Sequence, residues 1–94
     1  MGECCPGGSI SAGDATRVAY DYVYSMYRDQ AFWNMYRLSL KVVRAYRYGC
    51  VYNVIINVTL TPISLAFDRG GNPVRRTHRV QVDPCTGGDI ISVT

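Results

Sequence analysis

Four cysteines are the residues of this 94-residue chain whose chemistry most needs an explanation. They stand at positions 4, 5, 50 and 85, so two are adjacent and two are isolated. Four thiols allow three disulfide pairings. They also offer the ligand number of a structural zinc site, although the C-x₂-C spacing typical of such sites is missing and adjacent cysteines chelate poorly. Free thiols, or a bond to another chain, are the remaining alternatives.

The single histidine, His78, is the other candidate for chemistry, and it lies in an arginine-rich run at positions 75–79. A catalytic Cys–His pair would need His78 beside Cys50 or Cys85, with a third group to orient the ring. The spacing indicates no such arrangement, and no glycine-rich phosphate loop precedes a helix. We interpret the run as a solvated strand face, and we predict no enzyme, no catalytic residue, no metal and no cofactor.

The composition favours an ordinary globular domain. Hydrophobic residues make up 48% of the chain and charged residues 18%, and the formal net charge is +3. No apolar stretch approaches the about 20 residues that cross a bilayer, so we predict no membrane partner. The arginine run could bind a polyanion such as a heparin-like glycan or a nucleic acid. We do not predict a nucleic-acid partner, because the net charge is small and no stacking motif accompanies the run.

An irregular arm and one helix precede the strands. We predict an irregular arm over residues 1–10, because adjacent cysteines, a proline and a glycine pair cannot propagate a helix or a paired strand. Ser11 and Asp14 have the spacing of a capping box, and the helix predicted there covers residues 11–31. Its apolar stripe follows the i, i+3, i+4 spacing. The members of the stripe are Ala15, Val18, Ala19, Tyr22, Val23, Met26, Tyr27 and Gln30.

Residues 35–94 change to the period of two that is typical of strands. Gly49 interrupts two long alternating runs, which predicts an antiparallel hairpin. Prolines and glycines predict a loop over residues 61–73. The predicted strands cover residues 36–48, 51–61, 74–82 and 89–94. The fold class is therefore α+β, with one helix on one face of an antiparallel meander.

Four segments carry a family resemblance, with a looser match after residue 60 at Gln81-Val82 and the Pro84 turn. Residues 17–21 have the sequence R-V-A-Y-D, residues 34–36 have N-M-Y, residues 42–45 have V-V-R-A, and residues 53–60 have N-V-I-I-N-V-T-L. They resemble the start and the exit of the helix and the two following strands of the cystatins, in particular their secreted type 2 branch. The resemblance implies a single cystatin-like domain over residues 1–94, in which one long N-terminal helix packs on a curved antiparallel sheet of four to five strands.

The resemblance also implies a function at one end of that sheet. Cystatins inhibit papain-like cysteine proteases reversibly and non-covalently, by inserting a glycine-containing arm, a Q-x-V-x-G loop and a P-W loop into the active-site cleft. Here the first loop lacks its motif, and Cys85 stands at the place of the tryptophan. We expect a weakened or retuned inhibitor or, alternatively, a non-inhibitory module that binds another protein at the same edge. The expected contact residues are Gly7, Gly8, Tyr48, Gly49, Cys50, Val51, Pro84, Cys85 and Thr86.

The cystatin framework places all four cysteines at that edge. It puts Cys4 and Cys5 in the arm, Cys50 in the first loop and Cys85 in the second. A bridge between the adjacent cysteines would be strained, which leaves Cys4–Cys50 with Cys5–Cys85, or Cys4–Cys85 with Cys5–Cys50. Asn57 begins an N-x-T sequon and is predicted to point away from the core. Together with the disulfides, the sequon favours a secreted glycoprotein. The oligomeric state is not predicted.

Overall fold

One helix and four strands make up the computed structural model, which describes residues 4–33, 36–62, 73–85 and 87–94. The strands form one antiparallel sheet with the spatial order β1-β2-β3-β4, and the helix packs against one face of it. The predicted α+β class is confirmed, with four strands. Residues 63–72 of the predicted loop, and Thr86, lie outside the described residues. The elements are α1 (Ala12–Trp33), β1 (Tyr36–Tyr48), β2 (Val51–Pro62), β3 (Val74–Val82) and β4 (Ile90–Val93).

The helix begins at the predicted capping box. The backbone N–H of Asp14 donates to Ser11 Oγ over 3.1 Å, and the Ser11 N–H donates to Asp14 Oδ2 over 3.5 Å. These bonds occupy N–H groups that have no intrahelical partner at a helix start. α1 then continues for 22 residues and ends two residues later than predicted. No helix in the described residues combines the length and the hydropathy that a bilayer crossing requires.

The buried side of α1 is narrower than the predicted apolar stripe. Among residues 12–28, whose side chains the structure describes, the buried ones form a single row at i, i+4 spacing: Ala15, Ala19, Val23 and Tyr27. Val18 packs beside this row partly buried, as predicted, and the side chain of Gln30 lies outside the described residues. Tyr22 and Met26 are 43% and 44% exposed, so that part of the prediction is wrong. The small alanines let the helix approach the sheet closely. In the described part of the chain the sheet is the only element that packs on α1, so the sides of the helix stay exposed.

β2 is the central strand of the core. Its buried side chains on the face toward α1 are Tyr52, Val54, Ile56, Val58 and Leu60. Val80 and Val82 of β3 are also fully buried, and partly buried residues of β1 and β4 pack against the cluster. Burial of each such aliphatic side chain contributes about 1.5–3 kcal/mol. The core is therefore a strip between β2, β3 and α1.

A β-bulge at Val43 divides β1 into two parts. The register pairs Val42 with Ile56 and then Arg44 with Ile55, which leaves Val43 as the extra residue. Because side chains alternate along a strand, the extra residue turns Arg44 and the next two tyrosines of β1 to the sheet face opposite α1. We call this face the outer face. Uninterrupted alternation would have placed these residues toward the helix.

The interpretation of residues 75–79 as a solvated face is wrong for His78. His78 pairs with Ile56 in the register and lies on the sheet face that α1 covers. Its Nε2 lies 2.5 Å from the Tyr27 hydroxyl, and its Nδ1 lies 3.0 Å from the Thr94 carbonyl oxygen. A neutral ring protonated at Nδ1 satisfies both contacts. His78 is thus a polar link between the helix and the sheet.

Candidate functional site

Two disulfides gather three separate segments at one end of the sheet. Cys4 is bonded to Cys50 and Cys5 to Cys85, with Cα–Cα distances of 5.4 and 5.0 Å. This is one of the two predicted pairings, and it leaves no cysteine free. We call the three segments together the clamped edge: the arm of residues 4–10, the hairpin of residues 48–51 and the turn of residues 83–88.

The hairpin is the most exposed part of the clamped edge. Tyr48 pairs with Val51, which leaves Gly49 and Cys50 as a two-residue loop. Gly49 has a φ of 63°, a left-handed conformation that glycine adopts without a steric penalty. Arg47 Nε donates to the Gly49 carbonyl over 3.0 Å. The Tyr48 side chain is 78% exposed, so the hairpin presents a tight tip with a large aromatic residue beside it.

The first part of the arm is a tight turn. The Gly8 N–H donates to the Cys5 carbonyl over 2.9 Å and closes the turn around Pro6 and Gly7. Both glycines are exposed. A side chain at Gly7 would meet no atom within 4 Å, whereas Gly8 has a φ of 114°, which favours glycine. The two glycines of the predicted pair are therefore not equivalent.

The second part of the arm pairs with the turn before β4. Ser9 forms a β-bridge with Cys85, and the Ile10 N–H donates to the Pro84 carbonyl over 2.8 Å. The Tyr52 hydroxyl approaches the Ile10 carbonyl at 3.5 Å. The Pro84 ring, a predicted contact, is fully buried. A partner cannot reach that ring without displacing the residues that cover it.

The turn before β4 has its own fixed geometry. Asp83 Oδ1 accepts a hydrogen bond from the Cys85 N–H over 3.0 Å. Gly87 and Gly88 have φ angles of 109° and 57°. A Cβ at Gly88 would lie 3.2 Å from Ile10 Cδ1, so this glycine lets the turn approach the arm closely. The Gly87-Gly88 pair is a turn signal in the sequence, but no local pattern shows that Gly88 contacts the arm.

The predicted contact residues that the structure describes all lie at the clamped edge, but with unequal exposure. The exposed ones are Gly7, Gly8, Tyr48, Gly49 and Cys50. Val51 and Cys85 are half-buried, and Pro84 is buried. Their contact with a partner stays a prediction. The accessible part of the set belongs to the arm and the hairpin rather than to the turn.

The cysteines of the clamped edge offer no thiolate to a metal ion. Asp83 Oδ1 or Oδ2 and the sulfurs of Cys5 and Cys85 lie within 4.8 Å of one another, a spacing that could suit a metal ion. The two sulfurs are bonded to each other, however, and so provide no thiolate ligand. The four-cysteine zinc alternative fails for the same reason, because all four cysteines are in disulfides.

Asn57 of the sequon lies away from the clamped edge, on the outer face. Its side chain is exposed, as the alternation predicts. Its Oδ1 accepts a hydrogen bond from Thr77 Oγ1 over 2.8 Å. Glycosylation of Asn57 stays a prediction.

Comparison with known proteins adds no relative to this description. No protein-family model matches the chain, and neither a curated protein nor a solved structure does. The cystatin resemblance therefore depends on the short motifs, and the α+β architecture is compatible with it.

Proposed function

We propose that the clamped edge binds reversibly and non-covalently in the active-site cleft of a papain-like cysteine protease and inhibits it. One observation carries this proposal: two disulfides hold the arm, the hairpin and the turn side by side at one end of the sheet. Segments that are ordered before binding lose little conformational entropy when they bind. In this proposal the protein acts by filling a groove and performs no chemistry itself.

The hairpin supplies the principal contact. Tyr48 is exposed next to the narrow Gly49–Cys50 loop, and a rigid aromatic side chain is a typical anchor of a protein interface. The two-residue loop keeps the tip thin, and the bond from Cys50 to Cys4 adds the start of the arm to it. A thin, rigid tip of this kind suits a concave cleft.

The cystatin resemblance supports the proposal. Two departures from the family reduce the part that the second turn plays in the proposed contact. Cys85 occupies the place of the family's tryptophan, and Pro84 is buried. The second turn therefore offers little side-chain surface to a protease. We propose that the arm and the hairpin make most of the contact, which agrees with a weakened or retuned inhibitor. The two disulfides, typical of oxidising compartments, support a secreted protein.

Titration of papain and of a cathepsin tests the proposal. The protease is activated with a thiol reductant, and the reductant is removed before mixing, because it would otherwise open the two disulfides. We expect inhibition that competes with substrate and is reversed by dilution. An inhibition constant of about 1 µM or weaker with intact disulfides would reject the proposal.

Two variants locate the contact. Tyr48→Ala removes the exposed aromatic residue of the hairpin and should weaken inhibition about 30-fold, the loss expected for an interface anchor. Tyr22→Ala, an exposed tyrosine on α1, is the matched control and should leave inhibition unchanged. Gly7→Glu should also weaken inhibition without changing the unfolding transition. Gly7 suits this test better than Gly8, whose positive φ would add backbone strain.

The alternative is a non-inhibitory secreted module whose clamped edge binds another protein. The observation that favours it is the fixed arm: Cys4 and Cys5 are both cross-linked, and Ser9 is bridged to Cys85. An arm held in this way cannot straighten, so it would meet a partner as a compact turn and not as an extended segment. The same titration separates the two functions, because this module would leave both proteases fully active.

A further inference from the structure

The outer face of the sheet is strongly basic. Register and alternation place five cationic side chains on this face, and all five residues are exposed. They come from two strands that flank β2, which itself contributes no charge there. The five are Arg37, Lys41, Arg44, Arg75 and Arg79.

The acidic residues that the structure describes lie elsewhere. Within 36–62 and 73–82, the described strand residues that form most of this face, there is no aspartate or glutamate. Asp14 and Asp21 belong to α1, and Asp83 and Asp89 lie in the connection between β3 and β4. A formal net charge of only +3 therefore conceals a sheet face that carries five cations and, among the described strand residues, no acidic residue. A one-signed surface of this kind attracts a ligand of opposite charge.

The cations surround a groove with polar walls. The groove has a volume of about 520 Å³, and its lining includes Ser39, Lys41, Asn57, Thr59, Arg75 and Thr77. Neighbouring strands are about 4.8 Å apart, so Arg44 and Arg79, which both pair with Ile55, lie roughly 10 Å from each other. The other cations of β1 and β3 are staggered by two residues, which places nearest cations on the two strands about 12 Å apart. Along each strand, cations four residues apart are separated by about 13 Å. The hydroxyl and amide groups between them can donate hydrogen bonds to oxygen atoms.

We propose that the outer face binds a sulfated polysaccharide of the heparin type. Four of the five cations are arginines, whose planar guanidinium groups bind oxyanions through two parallel hydrogen bonds. A linear polymer with sulfate and carboxylate groups along its length matches both the regular spacing of the cations and the polar groups between them. The two disulfides are typical of the oxidising compartments in which such polymers occur. This proposal does not depend on protease inhibition.

Two other polyanions fit the face less well. Single-stranded nucleic acids bind through aromatic platforms as well as charge, but the lining of the groove contains no aromatic residue. Of the two tyrosines on the same face, Tyr46 is covered by the Arg44 guanidinium at 4.5 Å from its ring centre, and Tyr48 stands at the clamped edge, outside the lining of the groove. A membrane surface would require apolar side chains that enter the bilayer, and the one aliphatic residue of the lining, Val58, has its side chain buried on the face toward α1.

The sequon at Asn57 lies inside the groove. Asn57 pairs with Lys41 on one side and with Thr77 on the other, so it lies in the middle of the groove. An N-linked glycan at Asn57 would cover the face and exclude the polymer. The binding experiment therefore uses protein produced in a host that attaches no N-glycans, with both disulfides formed.

The experiment measures the affinity of heparin oligosaccharides at several salt concentrations. Arg75→Gln/Arg79→Gln removes two charges from the outer face and should weaken binding about tenfold at low salt, with a salt slope smaller by about two. Arg17→Gln/Arg28→Gln removes two charges from exposed positions of α1 and is the matched control. It should change the affinity less than about twofold. Unfolding curves verify that both variants remain folded.

Three results would overturn the proposal. Equal losses in the two double variants would show that the affinity follows net charge and not this face. Equal binding of fully desulfated heparin would remove the role of sulfate. Tighter binding of a single-stranded oligonucleotide, or of vesicles rich in anionic lipid, would assign the face to that ligand instead.

Discussion

The clamped edge and the helix-covered part of the sheet are held together in different ways. In the covered part, Val23, Val54, Ile56 and Val80 are fully buried, and packing fixes their positions. At the clamped edge most residues are exposed or half-buried, and two disulfides and several tight turns fix their positions instead. Burial orders a segment by covering it, whereas a cross-link orders a segment and leaves it accessible. A surface intended for contact with a partner benefits from the second arrangement.

The largest effect is expected from removal of one cross-link. Cys5→Ala/Cys85→Ala should lower the free energy of unfolding by about 4 kcal/mol, because with Cys4–Cys50 intact this disulfide closes a loop of about 35 residues between Cys50 and Cys85 in the unfolded chain. Cys4→Ala/Cys50→Ala should cost about as much, since with Cys5–Cys85 intact the Cys4–Cys50 bond closes a loop of similar length. Denaturant unfolding measures both. A loss below about 1 kcal/mol would show that the edge is already ordered without its cross-links.

A somewhat smaller effect is expected in the core. Ile56→Ala removes a fully buried side chain and should lower stability by about 3 kcal/mol. Ile55→Ala, the neighbouring position on the outer face, makes the same chemical change where the side chain is only half-buried. Both variants lose the strand preference of isoleucine, so this contribution cancels when they are compared. The difference between their losses in unfolding free energy, about 2 kcal/mol, then measures the effect of burying the side chain. Equal losses would contradict the assignment of the two faces of β2.

The smallest effect concerns the contact between the arm and the turn. Gly88→Ala places a Cβ 3.2 Å from Ile10 Cδ1 at a residue with a φ of 57°, and should cost about 1–2 kcal/mol. Gly7→Ala adds a Cβ in open space without a positive φ and should leave stability within about 0.5 kcal/mol of the original. Thermal unfolding of the two variants measures the contrast. If both were neutral, the disulfides alone would hold the arm.

Local patterns in the sequence predicted most of the fold. The capping box of Ser11 and Asp14 marks the start of the helix, and Gly49 marks the hairpin loop. Both signals depend on a few neighbouring residues, so no tertiary information is needed to interpret them. The exposed side chains of Tyr22 and Met26 could not be predicted in this way, because helical periodicity shows which residues share a face but not how wide a sheet that face meets.

The details of the candidate site depend on longer-range geometry. The sequence left two disulfide pairings open, and the order in which the arm crosses the hairpin and the turn selects Cys4–Cys50 and Cys5–Cys85. The basic outer face escaped prediction for a related reason. An arginine-rich run indicates one charged strand. The bulge at Val43 and the strand register are needed to show that Arg44 lies on the same face of the sheet as the arginines of β3.

The adjacency of Cys4 and Cys5 has a consequence for how the protein matures. As the chain is synthesised, Cys50 emerges well before Cys85 and meets two neighbouring thiols, of which only Cys4 is its native partner. If Cys5 reacts first, the Cys4 thiolate next to it can attack the Cys50 sulfur, form the native bond and release the Cys5 thiolate. A disulfide oxidant of the surrounding compartment then joins Cys85 to the remaining Cys5 thiol by exchange and is itself reduced to two thiols. The two adjacent cysteines leave the pairing open in the sequence, and the same adjacency allows a non-native Cys5–Cys50 bond to rearrange to the native one.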